Sequence, residues 1–254
     1  ADGDHDLLGL ADGAQHAANH DLLQRLLQEV HARLSLPSGQ FDLIYANTTA
    51  AVPMVLRLTG KTRSLLWHVH EMSYAMNISL TRNDWVDCFR AATRYIAVSN
   101  VVREALITEQ IIHGDHIDVI NGFIEPQNIN PDIASRKRQQ LRYKLGIPSD
   151  AFVVGACGSL SWRKGSDVFL QIAHRVASAV GDGHVYFVWV GGERGGPAAL
   201  EFEYDMLRLG LKNQCQLVPT TADVLDYYHV MDVFALTSRE DPFPLVVLEA
   251  AEHA

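Results

Sequence analysis

Residues 233–252 read VFALTSREDPFPLVVLEAAE and carry the pattern of a buried strand, a polar loop and a helix. The apolar run 233–236 has the length and composition of a buried parallel strand. The loop 237–244 contains two prolines, which favour an extended loop and a helix start, because the first N–H groups of a helix need no intrahelical partner. The helix predicted from Leu245 therefore directs its first N–H groups over the carboxyl end of the strand, a geometry that favours an anion.

Two carboxylates bracket this turn. Asp241 lies in the loop, and Glu249 follows it after seven intervening residues, inside the predicted helix. Both can accept hydrogen bonds from hydroxyl groups. Phosphate held by amides and sugar hydroxyls held by carboxylates together favour a nucleotide-sugar pocket over a hydrolytic dyad. Taken alone, the pattern fits an ordinary strand-to-helix turn with a solvated Asp and Glu equally well.

The segment SREDPFPLVVLEA resembles the acidic signature of family 4 glycosyltransferases, which are retaining enzymes of the two-domain GT-B fold. The usual family pattern is Glu, seven residues, Glu, and Asp241 occupies the first place here. The resemblance implies that Glu249 holds the ribose hydroxyls of a nucleotide-sugar donor. It also implies that Asp241 binds the hydroxyls of the donor sugar, together with the backbone around Phe243, Pro244 and Leu245.

A glycine-rich loop follows the apolar run at residues 152–157 and reads GSLSWRKGS. Gly158 and Gly165 permit close backbone approach, and Arg163 and Lys164 place positive charge at the start of a predicted helix, an arrangement that can hold a diphosphate. The loop resembles the RKG loop of the same family, whose Arg and Lys neutralise the departing nucleotide diphosphate. That family often has another Arg where this chain has Ser159, so part of the cationic clamp is missing here or supplied by other residues.

The sequence HVHEM ends a predicted strand in the first half of the chain. Strand alternation places His68 and His70 on one face and Glu71 on the other. A zinc site is the weaker interpretation, because no third ligand follows at a suitable spacing. His70 and Glu71 resemble the strand-end histidine motif of the family, in which the histidine approaches donor sugar and acceptor across the cleft. The alternative is a histidine that packs against Trp67 and Tyr74.

Strands and helices alternate in two series separated by a polar segment with two prolines, which predicts an α/β protein with two doubly wound Rossmann-like domains, the GT-B architecture. We predict an acceptor-side domain over residues 1–128, a linker and basic helix over 129–150, and a nucleotide-sugar domain over 151–254. The resemblance implies that both domains are incomplete, because family members carry a further N-terminal portion and a C-terminal portion after Glu249.

Several local features complete the predicted fold. We expect an amphipathic helix over residues 14–34, whose His16, His20 and His31 are solvated, and a loop over residues 72–83. Ser99 is expected to cap the helix that follows it. The basic helix over residues 134–145 is interpreted as a solvated face, and contact of that helix with an anionic membrane stays open.

Composition excludes some partners. A formal net charge of −9 over 254 residues argues against nucleic acid, because no basic stripe is present. Three widely spaced cysteines without a metal-binding pattern favour reduced thiols in a cytoplasmic protein, and no apolar run has the roughly 18 residues of a membrane-spanning helix. The oligomeric state is not encoded in any recognisable pattern.

The resemblance implies transfer of a glycosyl unit from a nucleoside diphosphate sugar to a hydroxyl of a glycan, lipid or small-molecule acceptor, with retention of configuration and without a metal or other cofactor. The expected setting is polysaccharide or lipid-linked glycan assembly. Two alternatives stay open: a sugar-nucleotide epimerase of the same fold, and a noncatalytic nucleotide-sugar binding or interaction module. Whether a chain of this extent turns over by itself is also open.

Overall fold

A computed structural model describes residues 39–58, 60–181 and 183–253. The helix predicted over residues 14–34, with its three histidines, lies outside the described residues. Two four-stranded parallel sheets organise the described part of the chain, with strand orders β1-β2-β3-β4 and β7-β6-β5-β8. The expectation of an α/β protein with two sheets in sequence is therefore confirmed.

The first sheet contains β1 (Ile44–Ala46), β2 (Leu65–Val69), β3 (Arg94–Ala97) and β4 (Ile117–Val119). Its helices are α1 (Val52–Leu58), α2 (Ser73–Ser79), α3 (Asn83–Arg90) and α4 (Asn100–Thr108). Ser99 caps α4 as predicted, because its hydroxyl accepts a hydrogen bond from the Val102 amide at 3.3 Å. Trp67 and Phe89 are fully buried in the core of this sheet, with ring centroids 5.3 Å apart.

Helix α2 corrects the prediction of a loop over residues 72–83. The segment MSYAMNIS has weak helical periodicity, and polar residues interrupt it. Met76 is nevertheless fully buried, Leu80 is only 8% exposed, and Met72 packs against the same core. Packing of these apolar side chains against the first sheet, which local propensity does not report, therefore stabilises the helix.

The second sheet contains β5 (Phe152–Cys157), β6 (Val185–Val190), β7 (Cys215–Val218) and β8 (Val233–Phe234). Its helices are α5 (Pro131–Lys144), α6 (Ser166–Val180), α7 (Pro197–Arg208), α8 (Val224–Tyr228) and α9 (Leu245–Glu252). Side chains alternate between two faces along β6. Phe187 and Trp189 enter one buried cluster, which α6 and α7 cover, whereas Val188 and Val190 enter a second cluster with Tyr227 of α8.

The strand order of the second sheet reverses beside β5. The chain moves outward from β5 to β6 and β7, then returns to place β8 on the other side of β5. Crossovers that leave a parallel sheet in opposite directions open a crevice beyond the carboxyl ends of the two strands, and ligands of such sheets bind there. The glycine-rich loop after β5 and the acidic loop after β8 both lie at this crevice.

Helix α5 corrects the interpretation of the basic segment as a solvated face. Arg142 is only 3% exposed, and its guanidinium donates hydrogen bonds to the carbonyls of Val230 and Ala151 and to Asp232. Arg138 also pairs with Asp232, at 2.5 Å. Burial opposes ionisation of Asp232, but hydrogen bonds from the Val153 amide and from these two arginines lower the pKa of that carboxyl. The cations of α5 therefore attach the helix to the second sheet.

Candidate active site

The loops after β5 and β8 are in direct contact. Ser161 caps a short 3-10 turn (Trp162–Lys164), after which Gly165 has the left-handed φ of 66°. A Cβ at Gly165 would lie 2.1 Å from the carbonyl oxygen of Thr237, so only glycine allows this approach. The amide of Arg239 then donates to the carbonyl of Arg163 at 2.8 Å. The motif glycine thus holds the two predicted halves of the site together.

Lys164 and Asp241 form an ion pair within this contact. Lys164 Nζ lies 2.6 Å from Asp241 Oδ2, and the two side chains are only 15% and 10% exposed. The hydroxyl of Ser238 donates to the same carboxylate oxygen at 3.1 Å. The cation predicted for a diphosphate and the carboxylate predicted for a sugar are therefore paired with each other in this structure.

The remaining residues of the glycine-rich loop surround this pair. Gly158 has a φ of 155°, and a Cβ there would lie 3.3 Å from Cγ of Lys164. Arg163 donates from Nη1 to the carbonyl of Glu240 at 3.1 Å. Ser159 contacts Ser161 through hydroxyl oxygens 3.3 Å apart, so this position adds no positive charge. Helix α6 begins at Ser166 and directs its free N–H groups towards the same crevice.

Glu249 lies on α9 behind the acidic loop, and Tyr228 holds its carboxylate. The phenol of Tyr228 donates to Glu249 Oε2 at 2.8 Å. Burial and the neighbouring Cys157 raise the pKa of Tyr228, so the phenol keeps its proton and remains a donor. This hydrogen bond fixes the orientation of the Glu249 carboxylate.

The first sheet approaches the site through α2 and the loop after β4. The Glu240 carboxylate accepts a hydrogen bond from the Tyr74 amide at 3.1 Å, and the Tyr74 ring lies 4.9 Å from the Trp162 ring. Phe243 packs against the first core, and a Cβ at Gly122 would lie 3.0 Å from its ring. The acidic loop of the second domain therefore contacts elements of the first domain.

His70 lies at the carboxyl end of β2 and is exposed. Its Nε2 lies 3.1 Å from Asn47 Oδ1, and its ring centroid lies 4.1 Å from that of His68, which confirms that both histidines share a face. Glu71 points elsewhere: its carboxylate accepts from the Thr48 hydroxyl and from the amides of Thr49 and His70, at 3.2 and 3.1 Å. Glu71 thus fixes the loop that carries His70.

A cavity of about 470 Å³ lies at the carboxyl ends of β6 and β7. The residues that line it come mainly from the loops after these two strands and include Lys144, Gly192, Glu193, Arg194, Pro219, Thr220 and Tyr227. The cavity and the loop after β5 lie along the same edge of the second sheet. A ligand that contacts both the cavity and this loop would therefore have an elongated shape.

Comparison with known proteins connects this geometry to a protein class. Residues 151–254 match the family model described as glycosyl transferases group 1. The D-inositol 3-phosphate glycosyltransferase 1 of Catenulispora acidiphila is 24% identical over 94% of this chain and 60% of its own length. The phosphatidylinositol N-acetylglucosaminyltransferase GPI3 subunit of Saccharomyces cerevisiae is 27% identical over 91% of this chain and 47% of its own length.

Comparison with a solved structure identifies the fold. The crystal structure of Anabaena HepE in complex with UDP and glucose superposes with a TM-score of 0.70 and 25% identity, over 92% of this chain and 60% of that chain. The fold is GT-B. The GT-B chain described here spans about 60% of the length of that structure and of the Catenulispora relative.

Some residues of this GT-B site were not predicted from the sequence. Asn47, the partner of His70, stands at the end of β1, where a strand-end polar residue is a recognisable signal. Glu240 precedes Asp241 in the motif but binds the opposite domain. Tyr228, which orients Glu249, has no sequence signal, because twenty residues separate the two.

Two structural findings concern metals and membranes. Within residues 39–58, 60–181 and 183–253, no three His, Cys, Asp or Glu side chains are grouped so as to hold a metal ion. No helix in the part of the GT-B chain that the structure describes is long and apolar enough to cross a membrane.

Proposed function

We propose that this chain forms the donor-binding core of a retaining glycosyltransferase that uses a nucleoside diphosphate sugar. The observation that carries the proposal is the convergence of two cations and two carboxylates, Arg163, Lys164, Asp241 and Glu249, around the strand-order reversal of the second sheet. Charges of both signs at this place suit a ligand that is anionic at one end and rich in hydroxyls at the other.

In the proposed reaction the diphosphate lies over the N-terminus of α6, and Arg163 and Lys164 neutralise the charge that develops as it leaves. Lys164 is already paired with Asp241, so a diphosphate oxygen would take over or share the ammonium. Asp241 would then turn to the hydroxyls of the donor sugar. When the donor binds, Lys164 would thus contact the diphosphate and Asp241 would contact the sugar.

Glu249 would hold the ribose hydroxyls, and the cavity after β6 and β7 would take the nucleobase. Uracil is the base to test first, because the superposed HepE structure is described as a complex with UDP. The Catenulispora and Saccharomyces relatives are named for substrates that contain inositol, so an inositol hydroxyl is the acceptor to test first.

Bond making and breaking balance without a metal or other cofactor in this proposal. The bond between the anomeric carbon and the diphosphate oxygen breaks, and the acceptor oxygen forms its bond on the same face. The acceptor proton passes to an oxygen of the departing phosphate. His70 orients the donor or acceptor from the first domain.

We place the acceptor side in residues 1–128 and the donor side in residues 151–254. We also propose that the protein acts in the cytoplasm and contacts a membrane surface where the acceptor is a lipid.

The test is product analysis. The protein is incubated with UDP-, GDP- and ADP-sugars and an inositol phosphate acceptor, with and without EDTA, and the products are examined by NMR. The proposal predicts release of one nucleoside diphosphate and a glycoside with the anomeric configuration of the donor, unaffected by EDTA. An inverted glycoside would refute retention. An epimerised donor without acceptor would favour an epimerase, and donor binding without any product would favour a noncatalytic module.

A further inference from the structure

One face of the first sheet carries several polar side chains where β1 and β2 run side by side, and it is called the polar face here. The register pairs Tyr45 with Leu66 and Ala46 with Trp67. Because side chains alternate along a strand, the residues at odd positions of β1 share a face with those at even positions of β2. Ala46 and Trp67 on one face are buried, whereas Tyr45 and His68 lie on the other face.

Four side chains on this polar face form a continuous chain of hydrogen bonds and ring contacts. The Tyr45 hydroxyl lies 2.5 Å from Nδ1 of His68 and 3.3 Å from Oδ1 of Asn47. The same Asn47 oxygen lies 3.1 Å from Nε2 of His70. The chain begins at a partly buried histidine and ends at the exposed one that the site uses.

The positions of the protons follow from the chemistry of each group. A carboxamide oxygen only accepts, so Nε2 of His70 donates to Asn47. The Tyr45 hydroxyl also donates to Asn47, and its oxygen accepts from Nδ1 of His68. The reverse direction would leave Nε2 of His68, which is buried and has no hydrogen-bond partner among the described residues, as an orphaned N–H group, and such groups are rare. Burial and the neighbouring His70 lower the pKa of His68, so its ring carries one proton near neutral pH.

We propose that Asn47 and Tyr45, together with His68, are positioning residues that hold the His70 ring as the tautomer with its proton on Nε2. Nδ1 of His70 is then the nitrogen that accepts a hydrogen bond from a hydroxyl of the donor sugar or the acceptor. The inference rests on the proposed function for the identity of that hydroxyl. The tautomer itself rests only on the contacts of the four side chains.

The tautomer is measured by nitrogen NMR of protein labelled with ¹⁵N-histidine, at a pH about two units above the ordinary histidine pKa of about 6.5. The His70 signals are assigned from their loss in His70→Gln. We expect a protonated-type shift for Nε2 and an unprotonated-type shift for Nδ1. In Asn47→Ala and in Tyr45→Phe the two shifts should move towards each other, because the ring then samples both tautomers. Tyr143→Phe, at an 89% exposed tyrosine of α5, is the matched control and should leave the shifts unchanged.

A proton on Nδ1 of His70 in the unsubstituted protein would overturn the proposal. Shifts that stay the same in both Asn47→Ala and Tyr45→Phe would also overturn it. Turnover gives a separate readout: Asn47→Ala should lower kcat roughly 10- to 100-fold through misplacement of His70, with donor affinity within about twofold. If no nucleoside diphosphate binds the protein at all, the proposed function fails while the NMR result still decides the tautomer.

Discussion

Replacement of Lys164 or Asp241 should destabilise the second domain, although both residues belong to a ligand site. Their charges are 2.6 Å apart, and the side chains are only 15% and 10% exposed. Removal of one partner from a buried ion pair costs roughly 3–5 kcal/mol, mainly because the other charge stays buried without compensation. Since this pair keeps some solvent contact, we expect about 2–4 kcal/mol for Lys164→Met.

The double variant isolates the interaction free energy between Lys164 and Asp241 from their other contacts. In Lys164→Met/Asp241→Leu no uncompensated charge remains, so its cost should fall below the sum of the single costs by at least about 1.5 kcal/mol. Differential scanning calorimetry provides the measurement. For a chain of this size each kcal/mol corresponds to about 2–4 °C, so a cost of about 2–4 kcal/mol should lower Tm by about 4–16 °C in either single variant.

A second Lys–Asp pair in the same domain is the matched control. Lys137 and Asp226 are 2.5 Å apart, but their side chains are 41% and 29% exposed. Exposed pairs contribute at most about 1 kcal/mol, so Lys137→Met should change Tm little. Equal effects of Lys164→Met and Lys137→Met would show that burial does not set the cost of breaking the Lys164–Asp241 pair. Single costs at the Lys164–Asp241 pair that simply add in the double variant would refute the expected coupling between the two residues.

Three further predictions concern ligand competition, pH and the interface between the sheets. Asp241→Asn frees Lys164 and removes a negative charge. Free UDP should therefore bind about 5- to 30-fold more tightly in calorimetric titration, equivalent to about 1–2 kcal/mol. Weaker binding would contradict competition between Asp241 and the diphosphate for Lys164. Because the pKa of Asp232 is lowered in the folded state, its contribution to stability is present above the ordinary carboxyl pKa of about 3.9 and is lost as the pH falls through the folded pKa. Arg142→Met should therefore raise the pH at which acid unfolds the protein, as followed by circular dichroism. An unchanged midpoint would count against a stabilising role of the Arg142–Asp232 pair. Glu240→Ala removes the hydrogen-bond acceptor of the Tyr74 amide, and the hydrogen of this amide should then exchange faster with deuterium. Unchanged exchange would show that the Tyr74–Glu240 hydrogen bond does not join the two domains in solution.

Strand β5 of the second sheet was predicted to the residue. The apolar run at residues 152–157 has the observed bounds of β5, because a strand buried in a parallel sheet stands out as a short continuous apolar segment. Strand β8 is shorter than predicted and ends at Phe234. Helix α2 was missed, because burial of Met76 against residues distant in sequence stabilises it.

The partners of the site residues were harder to predict than their identities. The motifs name Lys164 and Asp241 separately, but their pairing depends on the contact of Gly165 with Thr237, which only the folded sheet creates. The charge of Arg142 is visible in the sequence, whereas two of its partners, the Val230 carbonyl and the Asp232 carboxylate, lie 88 and 90 positions away. The roles of His70, Arg163 and Glu249 in binding remain predictions.

Calorimetric titration with UDP, GDP and ADP in the absence of metal shows whether the strand-order reversal of the second sheet binds a nucleoside diphosphate. We expect saturable binding of one nucleotide, abolished in Arg163→Ala/Lys164→Ala. Binding should be retained in Lys212→Ala, an exposed lysine that precedes β7 and therefore lies at the opposite edge of the sheet. Binding that survives the double substitution, or no binding of any of the three nucleotides, would contradict nucleotide binding at the strand-order reversal.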